Sequence, residues 1–352
     1  MRNRLALFVA ILVALCAANC SSDNNVPIIN EANTARYTGV LTDLSRDVIT
    51  ETYLSLHTNA TTLKNAADVF TVGDAAQLET VKTAWRDARI HWEQSEAFGY
   101  GPSDANGADA AMDTRPIDTD AMLELLAYPE PITADTLAAN NEVRGFHLIE
   151  RLAWGEDGNK TAAEFTPKEV ELLQAAATDL QTNTQLLYDG WKLDGGNYGS
   201  NFINAGQSGS VYTSQELALE AIVNGMIALA DEVAVTKIQG PLIQGVIAEE
   251  SRSSNNTLSD LRNNILSVQH LYTGDRDALE GSGIDELVES NVALDDAINQ
   301  AVTEALQAID AIPGTFSDAL TANPASVENA YNKVAALHSA LQMQLLPYLA
   351  SL

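Results

Sequence analysis

The stretch RGFHLIERLAWGED, Arg144 to Asp157, sets one histidine and one glutamate three residues apart inside an otherwise apolar run. On a helix that spacing turns His147 and Glu150 toward a common point. An imidazole nitrogen and a carboxylate oxygen aimed together are a borderline and a hard donor. This is the pairing by which Glu-x-x-His motifs hold iron or manganese inside helical bundles. The same spacing also serves a plain buried hydrogen bond, so the motif alone leaves both readings open. A second pair lies in WRDARIHWEQSEAFGYGP, where Arg89 and Glu96 flank a stripe through Trp85, Ala88 and Trp92. These two could supply a carboxylate ligand with its counter-ion, or an ion pair that fixes the packing of two helices.

The elements that must position them are helices. Stripes of period 3.6 recur along the chain and period-2 alternation does not, which predicts an all-α fold. Tyr37, Val40, Leu41, Leu44 and Val48 make one stripe. Leu78, Val81, Trp85, Ala88 and Trp92 make another, ended by GYGP at Gly99 to Pro102. Val143, His147, Glu150 and Trp154 share one face with apolar residues on either side, predicting a helix buried most of the way round and capped by Gly155. TPKE, with Thr166 as cap, Pro167 at the first position and Glu169 closing a capping box, starts a further helix. TSQE at Thr213 repeats the signal, Gly240 to Pro241 marks a break, and Asn323-Pro324 opens the last helix. Between Asp189 and Ser210 the chain is rich in glycine and asparagine and shows no helical period. The expected architecture is two packed helical-bundle subdomains, residues 31–190 and 212–352, joined by a linker over 191–211.

The first residues are of another kind. MRNR followed by LALFVAILVALCAA has the charge and apolar length of a signal peptide over residues 1–19, too short to serve as a membrane span. The run closes in LCAANC, similar to the box at which bacterial signal peptides are cut and the new N-terminal cysteine is lipidated, which makes Cys20 the expected anchor. Residues 20–30 read as a polar tether, and Ser21 in place of aspartate favours the outer membrane in enteric-type sorting. With Cys16 lost and Cys20 lipidated, no disulfide is expected. Removing Arg2 and Arg4 leaves 17 basic against 48 acidic side chains, a net charge of 17 − 48 = −31. Such a field repels nucleic acid and attracts cations.

These blocks carry a resemblance. GFHLIERLAWGED resembles the Gly-x-His-x-x-Glu signature of the imelysin-like family, WRDARIHWEQSEAFGYGP its second strong block, and EESRSSNNTLSDLRNNI its third. That family includes insulin-cleaving membrane peptidase homologues and iron-regulated envelope proteins, many of them lipoproteins. The resemblance implies two helical bundles with the signature near their junction. It implies His147, Glu150 and Glu96 as metal ligands, with Gly145 allowing close helix approach. Arg89 and Trp85 from the second block, and Ser253, Asn256 and Thr257 from the third, would line the ligand pocket. Asn255 stands where many relatives carry aspartate, which removes one negative group.

The function implied is a cell-envelope lipoprotein that takes iron, or an iron-bearing ligand, for uptake alongside an envelope transport partner. The competing reading is a metallopeptidase with zinc. Against it, none of the five histidines is followed by glutamate and no two lie four apart, so the usual His-Glu-x-x-His zinc motif is missing. No Gly-x-Ser-x-Gly elbow occurs either. His270 falls off its helix stripe and is expected in solvent, His91 on the outer side of its helix, and His57 and His338 carry no partner pattern.

Overall fold

The structure, a computed structural model, describes residues 31–352. The expected signal peptide, Cys20 and the tether lie outside that range. Among the described residues no β-strand forms, only an isolated bridge between Arg276 and Leu279, and no helix is long and apolar enough to cross a membrane.

Helix α1 (Glu31–Asp43) passes through a π-helical turn (Leu44–Thr50) into α2 (Glu51–Val69). Next, α3 (Ala75–Glu93) packs on α2. The signature helix α4 (Gly145–Trp154) lies against both α3 and α5 (Pro167–Trp191), and α5 also packs on α2. The second bundle is built from α6 (Gln215–Asp231), a π-helical segment (Glu232–Gln239), α7 (Thr257–Thr273), α8 (Val292–Asp310) and α9 (Pro324–Ala340). The two bundles meet where α3 crosses α7 and where α6 covers the Glu96–Phe98 turn. Their buried apolar side chains belong to one continuous core.

Local chemistry explains several of these starts. Asp74 accepts the Gln77 N–H at 3.0 Å and opens α3, whose inner face buries Leu78, Val81, Trp85, Ala88 and Trp92. Thr166 and Glu169 exchange bonds in the expected capping box, with Pro167 at the first position. Other boundaries differ from the sequence expectation. The cap of α6 is Ser214 rather than Thr213, because the Ser214 hydroxyl meets the Leu217 N–H. Gly240 and Pro241 do not break the chain: the wider π-helical turn before them leads into a further turn, Gly240–Gln244, and the break falls at Gly245, whose φ is +82°. Helix α3 stops at Glu93, six residues short of Gly99, and the Glu96–Phe98 turn follows.

The glycine-rich stretch is packed. Trp191 closes α5 and stacks on Phe202 at 5.7 Å, and Tyr53, Tyr100, Tyr198 and Tyr212 surround the pair.

Candidate functional site

The site begins at the start of α4. Gly145 has φ +76°, and a side chain there would collide with the Met112 carbonyl. Glycine therefore lets α4 press against the short helix Ala108–Met112, which brings Asp113 over His147. Arg144 clasps Asp179 through two hydrogen bonds of 2.9 and 2.7 Å, tying the same end to α5. The Trp85 indole donates to the Phe146 carbonyl at 2.9 Å and locks α3 to α4.

Within that frame His147 is 5% exposed and Glu150 4%. Their own contact is Nδ1 to Oε2 at 3.0 Å. The other Glu150 oxygen accepts the Ser254 backbone N–H at 2.9 Å and its hydroxyl at 2.8 Å. His147 Nε2 thus turns the other way, 3.3 Å from Asp113 Oδ1, and makes no hydrogen bond. Burial opposes a charge on this ring, but the contacts to Asp113 and Glu150 outweigh it and raise the pKa to about 9. Burial also opposes ionisation of Asp113, yet the Arg89 guanidinium and His147 hold its carboxyl well below the usual range.

Around this pair lies a dense ionic cluster. Arg89, with 0% exposure, reaches Asp113, Glu93 (2.5 Å), Glu250 (3.0 Å) and Asp260 (3.7 Å). Lys237, carried inward by the π-helical segment, lies 2.7 Å from Glu96, 3.1 Å from Glu93 and 3.3 Å from Glu250. Arg115 sits 3.5 Å from Glu250. Six carboxylates (Glu93, Glu96, Asp113, Glu150, Glu250, Asp260) thus face three permanent cations and one histidine. The acid excess shows in the titration of the group: burial and then the Glu93 charge push Asp260 up to about 8 and Glu96 well above the usual carboxylate range. Ligand atoms of Asp113, His147 and Glu250 all lie within 4.8 Å of one another, and so do those of Glu93, Glu96 and Asp113. His147 Nε2, Glu250 Oε2, Asp260 Oδ2 and Asn264 Oδ1 are buried without a hydrogen bond. One imidazole nitrogen among carboxylate oxygens is a donor set for iron, manganese or zinc.

The residues singled out from the sequence are distributed as follows. His147 and Glu150 sit at the centre, with Gly145 and Trp85 framing them. Arg89 is also central, but its partners are Glu93, Asp113, Glu250 and Asp260 rather than Glu96. Glu96 instead meets Lys237 and accepts from Asn264 at 2.5 Å. Ser253 points outward and donates to the Glu156 carbonyl, and its neighbour Ser254 makes the bond to Glu150. Asn256 holds Asp260 at 2.7 Å and Thr257 holds Glu249 at 2.8 Å, so both act one step out from the cluster. Asn255 is exposed, with φ +54°, facing away from the acids. His91 and His270 are half-buried rather than solvated. Burial, then Arg276, lowers the pKa of both, that of His270 to about 4.

Sequence reasoning missed Glu93, Asp113, Lys237, Glu250, Asp260 and Ser254. Glu93 had a signal, being one helical turn after Arg89, and so had Lys237, a lone base in the apolar run EVAVTKIQG. Asp113, in a loop, had none. An open cleft of about 410 Å³ does occur, at the far end of α4 between Arg151, Trp154, Glu156, Lys160 and Glu169, and none of the six clustered acids lines it.

Comparison with known proteins gives this geometry a family. The chain is 35% identical over 308 residues to iron-regulated protein A of Synechococcus elongatus (strain ATCC 33912 / PCC 7942 / FACHB-805), covering 85% of this chain and 83% of the relative. Its fold matches the crystal structure of a chain from Parabacteroides distasonis ATCC 8503 described as an iron-regulated protein A precursor. That match has TM-score 0.79 and 27% identity over 89% of this chain and 95% of that one. An imelysin-like protein from Psychrobacter arcticum 273-4 shares the fold at TM-score 0.72 and 16% identity, over 90% and 96% of the two chains. The imelysin family model matches residues 49–344, and this chain belongs to the imelysin family.

Proposed function

We propose that this chain is an envelope lipoprotein that binds iron, or another divalent or trivalent metal ion, as cargo at Asp113, His147 and Glu250, in the service of iron uptake. The observation that carries the reading is His147 Nε2. Glu150, itself anchored by Ser254, holds Nδ1, so the free nitrogen faces Asp113 and Glu250 in a buried cluster with more acids than cations. Glu150 then acts by fixing the ring, as carboxylates do behind metal-binding histidines. The name of the Synechococcus relative, iron-regulated protein A, supports iron as the ion. Burial favours storage or carriage over peptide hydrolysis, which needs an open position beside a substrate.

The test is metal analysis of untagged protein, followed by anaerobic Fe(II) titration of the wild type, His147→Leu and Glu150→Gln. The leucine variant is expected to lose binding altogether and the glutamine variant to weaken it about 10- to 100-fold. Unchanged iron binding in both would remove the cluster from the function. Membrane attachment is a separate part of the reading. Cys20→Ala is expected to move the protein from the membrane to the soluble envelope fraction, since the acyl chains supply the anchorage. A variant that still sediments with membranes refutes that anchor.

A further inference from the structure

The two groups of potential ligands in the cluster share Asp113. The Lys237 ammonium lies within 3.3 Å of two members of the second group, Glu93 and Glu96, and of Glu250 from the first. Three carboxylates around one compact charge is the arrangement a small hard cation would take. Two further features fit a cation position. Asn264 lies beside it, donating from Nδ2 to Glu93 and Glu96 while its Oδ1, on a residue with 0% exposure, has no hydrogen-bond partner. The lysine itself reaches the cluster from a π-helical segment, a local widening that is common where a helix aims a side chain at a functional centre.

We propose that Lys237 is a built-in counter-ion that fills the second of two adjacent cation positions and so limits this chain to one bound metal ion. Removing the ammonium while keeping its carboxylates opens the position to a second divalent ion, bridged to the first through Asp113. This rests on the metal-binding reading above, and the experiment separates the two.

Purified wild type, Lys237→Met, Lys237→Gln and Lys237→Arg are equilibrated with Mn(II), and bound metal per folded chain is measured together with the electron paramagnetic resonance spectrum. One Mn(II) is expected in the wild type and in the arginine variant. Two are expected in the methionine and glutamine variants, with a spin-coupled spectrum that a purely structural lysine would not produce. Adding Glu96→Gln to Lys237→Met should return the count to one. A second equivalent in the wild type overturns the proposal, as does a single equivalent in the folded methionine and glutamine variants; the metal-binding reading survives either result. No Mn(II) and no Fe(II) in the wild type removes that reading, and if the variants also bind none, both fall. Should the variants fold only with Mn(II) supplied during refolding, the proposal is supported, because the ion replaces the lost charge. Failure to fold with and without Mn(II) counts against it.

Discussion

Two buried regions hold separate segments of the chain together, and they do so by opposite physics. At one, Trp191, Phe202 and the tyrosines around them stack at 4.7 to 6.2 Å in an aromatic cluster threaded by the glycine-rich stretch. At the other, Arg89 and Lys237 reach across α3, α4, α7 and the π-helical segment to a set of buried carboxylates. Apolar burial stabilises wherever it occurs, at roughly 25 cal/mol per Å² of area removed from water. Burying charges costs several kcal/mol per ion before any pairing, and here the acid excess is met partly by protons, which the raised pKa values of Asp260 and Glu96 retain. The aromatic junction therefore explains itself as structure. The ionic junction needs more than burial, and the metal ion proposed above would stand in for the protons it holds.

The contrast can be broken by substitution, and the largest effect belongs to the aromatic side. Trp191→Ala should destabilise the fold by about 3 to 5 kcal/mol through the cavity it leaves, with metal binding per folded chain unchanged. Urea denaturation beside metal analysis checks both halves of that statement; metal lost in step with the tryptophan would show that the two junctions are one unit.

Arg89→Met should approach the same cost at neutral pH, about 3 kcal/mol or more, because Glu93, Asp113, Glu250 and Asp260 lose their shared cation. Unlike the tryptophan change, this one should shrink in acid, as Asp260, raised to about 8, takes up its proton. A deficit equal at pH 5 and pH 8 would mean the guanidinium matters for its packing against Phe146 rather than for its charge.

The smallest effect sharpens the electrostatic side. Asp260, pushed up to about 8 in the fold from an ordinary 3.8, binds its proton more tightly folded than unfolded. Its contribution to stability is therefore fully present below about pH 4 and is lost as pH rises through about 8. In metal-free protein, Asp260→Asn should fall less in stability than the wild type between pH 5 and pH 8, measured by urea denaturation in EDTA. The comparison is needed because His147, raised to about 9, loses stability in the same direction over the upper part of this range, whereas Asp113, held well below the usual range, stays ionised throughout it. Parallel slopes would show that Asp260 stays ionised.

Much of this was written locally. A stripe on a helix fixes which side chains share a face, so the burial of Trp85 and the convergence of His147 on Glu150 follow from spacing alone. Capping is equally local, and Thr166, Pro167 and Glu169 set the start of α5 without help from the rest of the chain. The blocks around Trp85, His147 and Asn256 were enough to place the chain in its family.

Tertiary structure decided which of these groups meet. Whether Arg89 pairs with Glu93 or Glu96 depends on α3 ending at Glu93, after which the chain turns Glu96 toward Lys237, 141 residues away in sequence. Ser254 rather than Ser253 reaches Glu150 because the loop backbone before α7 turns one hydroxyl in and the next one out. Asp113 lies in a loop, where no period assigns a face, and it finds His147 only because Gly145 lets the Met112 carbonyl come close. Periodicity determines direction within one element. The meeting of charges from five separate segments is set by packing between elements, and the sequence carries that only through the whole fold.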